Sequence, residues 1–166
     1  MIIVSNTSPI SNLAQVGRLE ILQQIYGKII IPTAVYNELT AEGAGDIVAI
    51  PVKTYSWIET RAVTDFKMVN NLLNKLDEGE AEAITLAIEL AANQLLIDER
   101  VGRREANRLK VPITGVLGVL LLAKQRGIIP AVKPAIDDLI SQAVFRISDR
   151  LYASILYDAG EEQILP

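Results

Sequence analysis

The stretch that decides the fold is MIIVSNTSP, residues 1–9. Residues 1–4 form a short apolar run dominated by β-branched side chains, with no polar alternation. That pattern describes a strand buried on both faces. Ser5-Asn6-Thr7-Ser8 ends the run, and Pro9 is suited to the first turn of a helix, with Thr7 or Ser8 as its N-cap. The helix runs to about Val16 and stops at Gly17. A buried strand that turns directly into a helix is the opening of an α/β unit.

Working outward, the same rhythm recurs. Residues 28–31 read as a second buried strand, and Pro32 opens a helix carrying Val35, Tyr36 and Leu39. Residues 47–61 are ambiguous, with an irregular strand over 52–58 as one reading. Residues 65–76 fit a helix with Met68, Leu72, Leu73 and Leu76 inward. Asp77-Glu78-Gly79 breaks the pattern, and residues 80–92 form an Ala-rich helix. Residues 94–97 and 111–114 read as further strands, with helices over 103–109 and 115–126. Two amphipathic helices within residues 133–160 close the chain. Alternating strands and helices imply a largely parallel sheet covered on both faces. The expectation is an α/β chain: a three-layer α/β/α sandwich of four or five strands, one domain over residues 1–166.

Composition narrows the chemistry. The 166 residues contain no cysteine and no histidine, which removes thiolate and imidazole metal sites and every catalytic arrangement that uses either. Carboxylate and carbonyl oxygens remain, and these favour Mg²⁺ or Mn²⁺. The formal net charge is −4, unlike a broad basic nucleic-acid surface. The longest apolar run, residues 116–123, is far short of the roughly 20 residues of a spanning helix. No basic segment precedes the first apolar run, so a cytoplasmic location is expected.

Oxygen donors cluster in the reading. In open α/β sheets, ligands gather beyond the carboxyl ends of the strands. Asn6 follows the first strand and Asp98 follows residues 94–97. Glu38 lies on the helix after the second strand, and Glu80 and Glu82 start the Ala-rich helix. Such a set can hold a divalent cation for phosphodiester chemistry. Each also has a plainer reading: Glu38 as a solvated helix residue, Glu80 and Glu82 as first-turn acids, Asp98 as an N-cap. Thr7 and Ser8 can meet a phosphate or a water, or simply cap. Asn12, one turn further on, is placed to face the same cleft. Arg100, Arg103, Arg104 and Arg108 share a helix face, either as a phosphate clamp or as a solvated face paired with Glu99 and Glu105.

Taken together, IIVSNTSPISNLA, IIIPTAVYNEL, DEGEAEAITLA, LLIDERVGRREA and VPITGVLGVLLLAK resemble the PIN-domain superfamily, nearest its short prokaryotic branch. The late SDRLYASIL segment is also similar. The resemblance implies endoribonuclease activity on single-stranded RNA with Mg²⁺ or Mn²⁺. It also implies a homodimer, and for toxin-like relatives a small antitoxin protein. By motif position it implies Asn6, Glu38, Glu80 and Asp98 as the site, with Glu82 as a second metal ligand candidate. Where the family has aspartate, this chain has Asn6. A carboxamide still ligates a hard cation but brings no charge. Position 6 therefore reads either as a weakened nuclease or as a catalytically inactive binding protein, by natural divergence or by an engineered change.

Overall fold

A computed structural model describes residues 1–161. Its elements are β1 (Ile3–Ser5), α1 (Thr7–Gln15), α2 (Glu20–Tyr26), β2 (Ile29–Pro32), α3 (Thr33–Thr40), α4 (Asp46–Thr54), β3 (Ile58–Arg61) and α5 (Phe66–Leu72). They continue with α6 (Glu78–Glu89), β4 (Gln94–Leu96), α7 (Arg100–Arg108), β5 (Ile113–Thr114), α8 (Val116–Gln125), α9 (Lys133–Gln142) and α10 (Asp149–Asp158).

The five strands form one sheet in the order β3-β2-β1-β4-β5, and every pairing is parallel. Successive strand residues point to opposite faces. Ile3, Ile29, Ile31 and Leu96 therefore enter one core with Leu13, Leu22, Leu120 and Leu139. Val4, Ile30, Leu95 and Ile97 enter a second core with Val69, Leu72, Ile84 and Ala106. Two apolar cores on one sheet explain why the strands lack polar alternation, and they make the expected three layers.

Residues 47–61 depart from the irregular-strand reading. Most of the segment is α4, with Val48 and Val52 buried and Pro51 accommodated in its last turn; β3 begins only at Ile58. Asp77-Glu78-Gly79 is not a break but the start of α6. Asp77 is the N-cap, its side chain accepts from the Glu80 amide, and the Glu80 side chain accepts from the Asp77 amide. Leu72 and Leu76 face inward as expected, whereas Leu73 is exposed. Ile155 and Leu156 of α10 are buried in the first core. Tyr152 donates to Asp137 of α9 at 2.7 Å.

The strand order reverses direction between β1 and β4. This is the switch point at which the two crossover directions leave a crevice above the sheet. Ser5 pairs with Leu96 there, and the Asn6 amide donates to the Leu96 carbonyl at 2.9 Å. Among the described residues, no helix is long and apolar enough to cross a membrane.

Candidate metal and nucleic-acid site

Each strand of a parallel sheet hands the chain to a helix at the same edge, so helix N-termini accumulate there. Their unpaired N–H groups and dipoles favour oxygen anions. The candidate acids are arranged around them. Asp98, just beyond β4, accepts at Oδ1 from the Val116 amide that opens α8, at 3.0 Å. Glu82 of α6 is buried and accepts at Oε1 from Ala34 in the first turn of α3, at 3.0 Å. Glu80 accepts at Oε2 from Asp77 at 3.0 Å within its own capping box.

Asn6 occupies the N-cap position of α1 and is buried, yet its side chain makes no capping bond. Asparagine is a strong N-cap residue, so a buried one that leaves the role unfilled has its amide free for another partner. Thr7 and Ser8 do not cap either, contrary to the simplest reading of their positions. Thr7 Oγ1 donates to Glu38 Oε2 at 2.9 Å, and Ser8 Oγ donates to Glu99 Oε1 at 2.5 Å. Helix α1 thus joins Glu38 on one side to Glu99 on the other.

Two glycines let these acids approach. A Cβ on Gly79 would lie 2.3 Å from Glu38 Oε1, and one on Gly115 would lie 2.7 Å from Asp98 Oδ1 and 2.9 Å from Arg103 Nη1. The α6 N-terminus is held against Glu38, and the α8 N-terminus against Asp98, because neither position carries a side chain.

Three of the acids are held above the ordinary carboxylate range. Burial raises Asp98 most, with Glu99 adding to it, against the Val116 amide and the Arg103 guanidinium. Burial also leads for Glu80, reinforced by Asp77 and Glu99 and opposed by the hydrogen bond from the Asp77 backbone. For Glu38 burial leads again, opposed by Thr7 and reinforced by Asp77 and Glu78. Asp98 Oδ2 is buried and has no hydrogen-bond partner among the described residues. Such an atom is costly to leave alone, and a cation is the partner that would relieve both it and the repulsion among the acids.

The donor set fits a hard divalent ion: oxygen atoms only, with an orphaned carboxylate oxygen at the switch point. Among the described residues, however, no three acidic side chains converge closely enough to enclose an ion as they stand. The hydrogen bonds above hold one oxygen of each acid toward a helix end or a hydroxyl.

Of the four arginines on α7, only Arg103 is brought to the site. Its Nη1 donates to the Ile97 carbonyl at 2.9 Å. Arg108 pairs with buried Glu105 at 2.9 Å, and Lys75 joins them. Arg100 and Arg104 are exposed and carry no ion pair among the described residues. Glu99, read from sequence only as a surface partner for arginine, instead meets Ser8 and lies near both Glu80 and Asp98. Its position in DER, directly after Asp98, was the signal available.

A cavity of about 700 Å³ opens from Asp98, Glu99 and Arg103 and runs along α8 to residues 144–146 and α10. A shallower one of about 460 Å³ holds Glu38 and Thr7 on the other side of α1.

The fold and this edge define a class: a parallel α/β/α sandwich with carboxylates along the edge of its sheet where the switch point lies. Residues 2–161 match the family model described as PIN domain, and the chain belongs to that family. PIN domains have a nuclease-type fold and are generally dependent on divalent metal. No curated protein matches the sequence.

Proposed function

We propose that the chain is a divalent-metal-dependent endoribonuclease that cuts single-stranded RNA, with Asn6, Glu38, Glu80 and Asp98 holding Mg²⁺ or Mn²⁺ and Glu82 supporting them. The observation that carries this reading lies at the switch point: buried Asn6 with an uncapped amide just past β1, and, just past the paired β4, Asp98 with a buried Oδ2 that has no partner among the described residues. The cation, when bound, supplies positive charge at the scissile phosphate and activation of water. The protein does the rest. Asp98 is oriented by the α8 N-terminus, and Arg103 offers a cation to the phosphate from the same cavity. Thr7 sets the Glu38 carboxylate, and the capping box sets Glu80. No protein nucleophile takes part. Arg100 and Arg104 are exposed on the same helix, where they can meet the RNA backbone beyond the cavity.

A second reading rests on position 6. An amide there removes one negative charge from the ligand set and weakens metal binding, which favours a protein that binds RNA or a small antitoxin-like partner without cutting. Cleavage of labelled single-stranded RNA with Mn²⁺ by the parent, Asn6→Asp and Asp98→Asn separates the two. The nuclease reading expects cleavage by the parent, more by Asn6→Asp, and a loss of at least about 100-fold in Asp98→Asn, the scale on which a group stabilising transition-state charge acts. Cleavage by Asn6→Asp alone identifies the inactive binding protein. Undiminished cleavage by Asp98→Asn overturns the site. Homodimerisation and a small antitoxin partner belong to the same proposal; sedimentation of the purified chain, alone and with candidate partner proteins, tests both.

A further inference from the structure

The cavity that opens from Asp98 extends well past anything a phosphate and a cation need. Its volume of about 700 Å³ falls within the roughly 300–1,000 Å³ of small-molecule sites. Beyond the acids its walls become apolar, with Leu121 from α8, Leu151 from α10 and Phe145 from the connection between α9 and α10. Asn12 of α1 also lines it. Asn12 is only 6% exposed, and its amide makes no hydrogen bond with any described residue. A buried amide that faces a cavity without a partner presents a donor and an acceptor side by side. Two guanidinium groups, Arg103 and Arg146, line the same cavity, in a chain whose net charge is −4.

We propose that this cavity is a nucleobase pocket, in which Asn12 reads the edge of a base and Phe145 packs against its face. The proposal rests on the reading of the adjoining acids as a phosphodiester site. A planar, amphipathic ligand carrying a phosphate meets every part of the lining. The side-chain amide matches the paired donor and acceptor of a base edge. The aromatic and aliphatic walls match its faces. The guanidiniums match the phosphate. A nucleotide seated there lies next to Asp98, so the pocket selects which linkage is presented to the acids and confers a base preference at the cut. A peptide partner would use the apolar walls but has no need of one buried amide and two arginines beside them.

The test measures binding without catalysis. The full chain, in EDTA, is titrated calorimetrically with AMP, GMP, CMP and UMP, and with ribose 5-phosphate as the baseless probe. At least one nucleotide is expected to bind about tenfold more tightly than ribose 5-phosphate, the scale of one base stacked on an aromatic side chain. Asn12→Ala is expected to level the differences among the four nucleotides. Phe145→Ala is expected to weaken all four by about fivefold or more and leave ribose 5-phosphate unchanged. Phe145 is half-buried and packs against the first core, so circular dichroism first checks that Phe145→Ala is folded, and this variant then decides the matter if Asn12→Ala does not fold. Nucleotides that bind no better than ribose 5-phosphate overturn the proposal, as does parental affinity for all four retained in Phe145→Ala. Capture of a protein in this groove with no nucleotide binding overturns it too. Base preference in a chain that never cleaves RNA keeps the pocket and removes the nuclease. Cleavage whose base preference is the same in the parent and Asn12→Ala keeps the nuclease and removes the pocket.

Discussion

The two oxygens of Asp98 live in different surroundings. Oδ1 is satisfied by the first amide of α8, and Oδ2 is buried with nothing among the described residues to accept from. Burial therefore raises the carboxyl above its ordinary value despite Arg103 nearby. The sign of the linkage follows. The native state keeps a proton that the unfolded chain has already released, so this group's contribution to stability is full below the unfolded pKa. It is lost as pH rises through the folded one. In EDTA, Asp98→Asn is thus expected to gain in Tm relative to the parent as pH rises from acid to neutral, with no gain below the ordinary carboxylate range. Each kcal/mol in a chain of this size is worth about 2–4 °C, so scanning calorimetry at three pH values resolves it. A variant less stable than the parent at neutral pH would show that the charge is already well compensated without metal.

At the scale of elements, the helix starts organise the edge. Helix α6 begins with a reciprocal cap between Asp77 and Glu80, so its first turn is a structural device as well as part of the candidate site. Asp77→Ala is expected to cost about 1 kcal/mol in urea unfolding, and Asp77→Ser to recover most of it. An unchanged midpoint would mean that packing of Ile84 and Leu86, both fully buried, holds this helix without its cap. The acidic motif was legible from sequence because DEGEAEA sets three glutamates within a few residues at the start of an Ala-rich helix, whereas Asp77, read there as a break, proved to be the cap. That one oxygen of Glu82 accepts from the first turn of α3 was not legible. The hydrogen bond spans 48 positions in the chain, and nothing local announces its partner.

For the whole molecule, the raised carboxyls and the unpaired oxygen describe an edge that folding leaves under electrostatic load. A cation that binds only the native state offsets that load, with a gain of about 2.7 kcal/mol at a hundredfold excess over Kd. Saturating Mn²⁺ is expected to raise the parent's Tm, to raise that of Asn6→Asp further, and to leave Asp98→Asn nearly unmoved. Equal shifts in all three would place any bound ion elsewhere.

Local chemistry in the sequence was enough for the layered α/β architecture. Short apolar runs rich in β-branched residues and without alternation read as strands covered on both faces, and the helices between them carry their own stops, as at Gly17 and Gly27. The oxygen donors Asn6, Glu38, Glu80, Glu82 and Asp98 were likewise visible as residues near strand ends and helix starts. Their relation to one another was decided only by the tertiary structure. Strand order sets the end of β1, which Asn6 follows, beside the end of β4, which leads to Asp98, and that order depends on which strands pair across long separations. The same long-range packing turned residues 46–54 into α4, took Thr7 and Ser8 from capping to carboxylates, and drew Glu99 toward the site. It also folded residues 144–146 against α8, where Phe145 and Arg146 complete a cavity with Asn12. Side chains far apart in sequence share a cavity only when the sheet and its two cores hold their elements together, and no local pattern records that meeting.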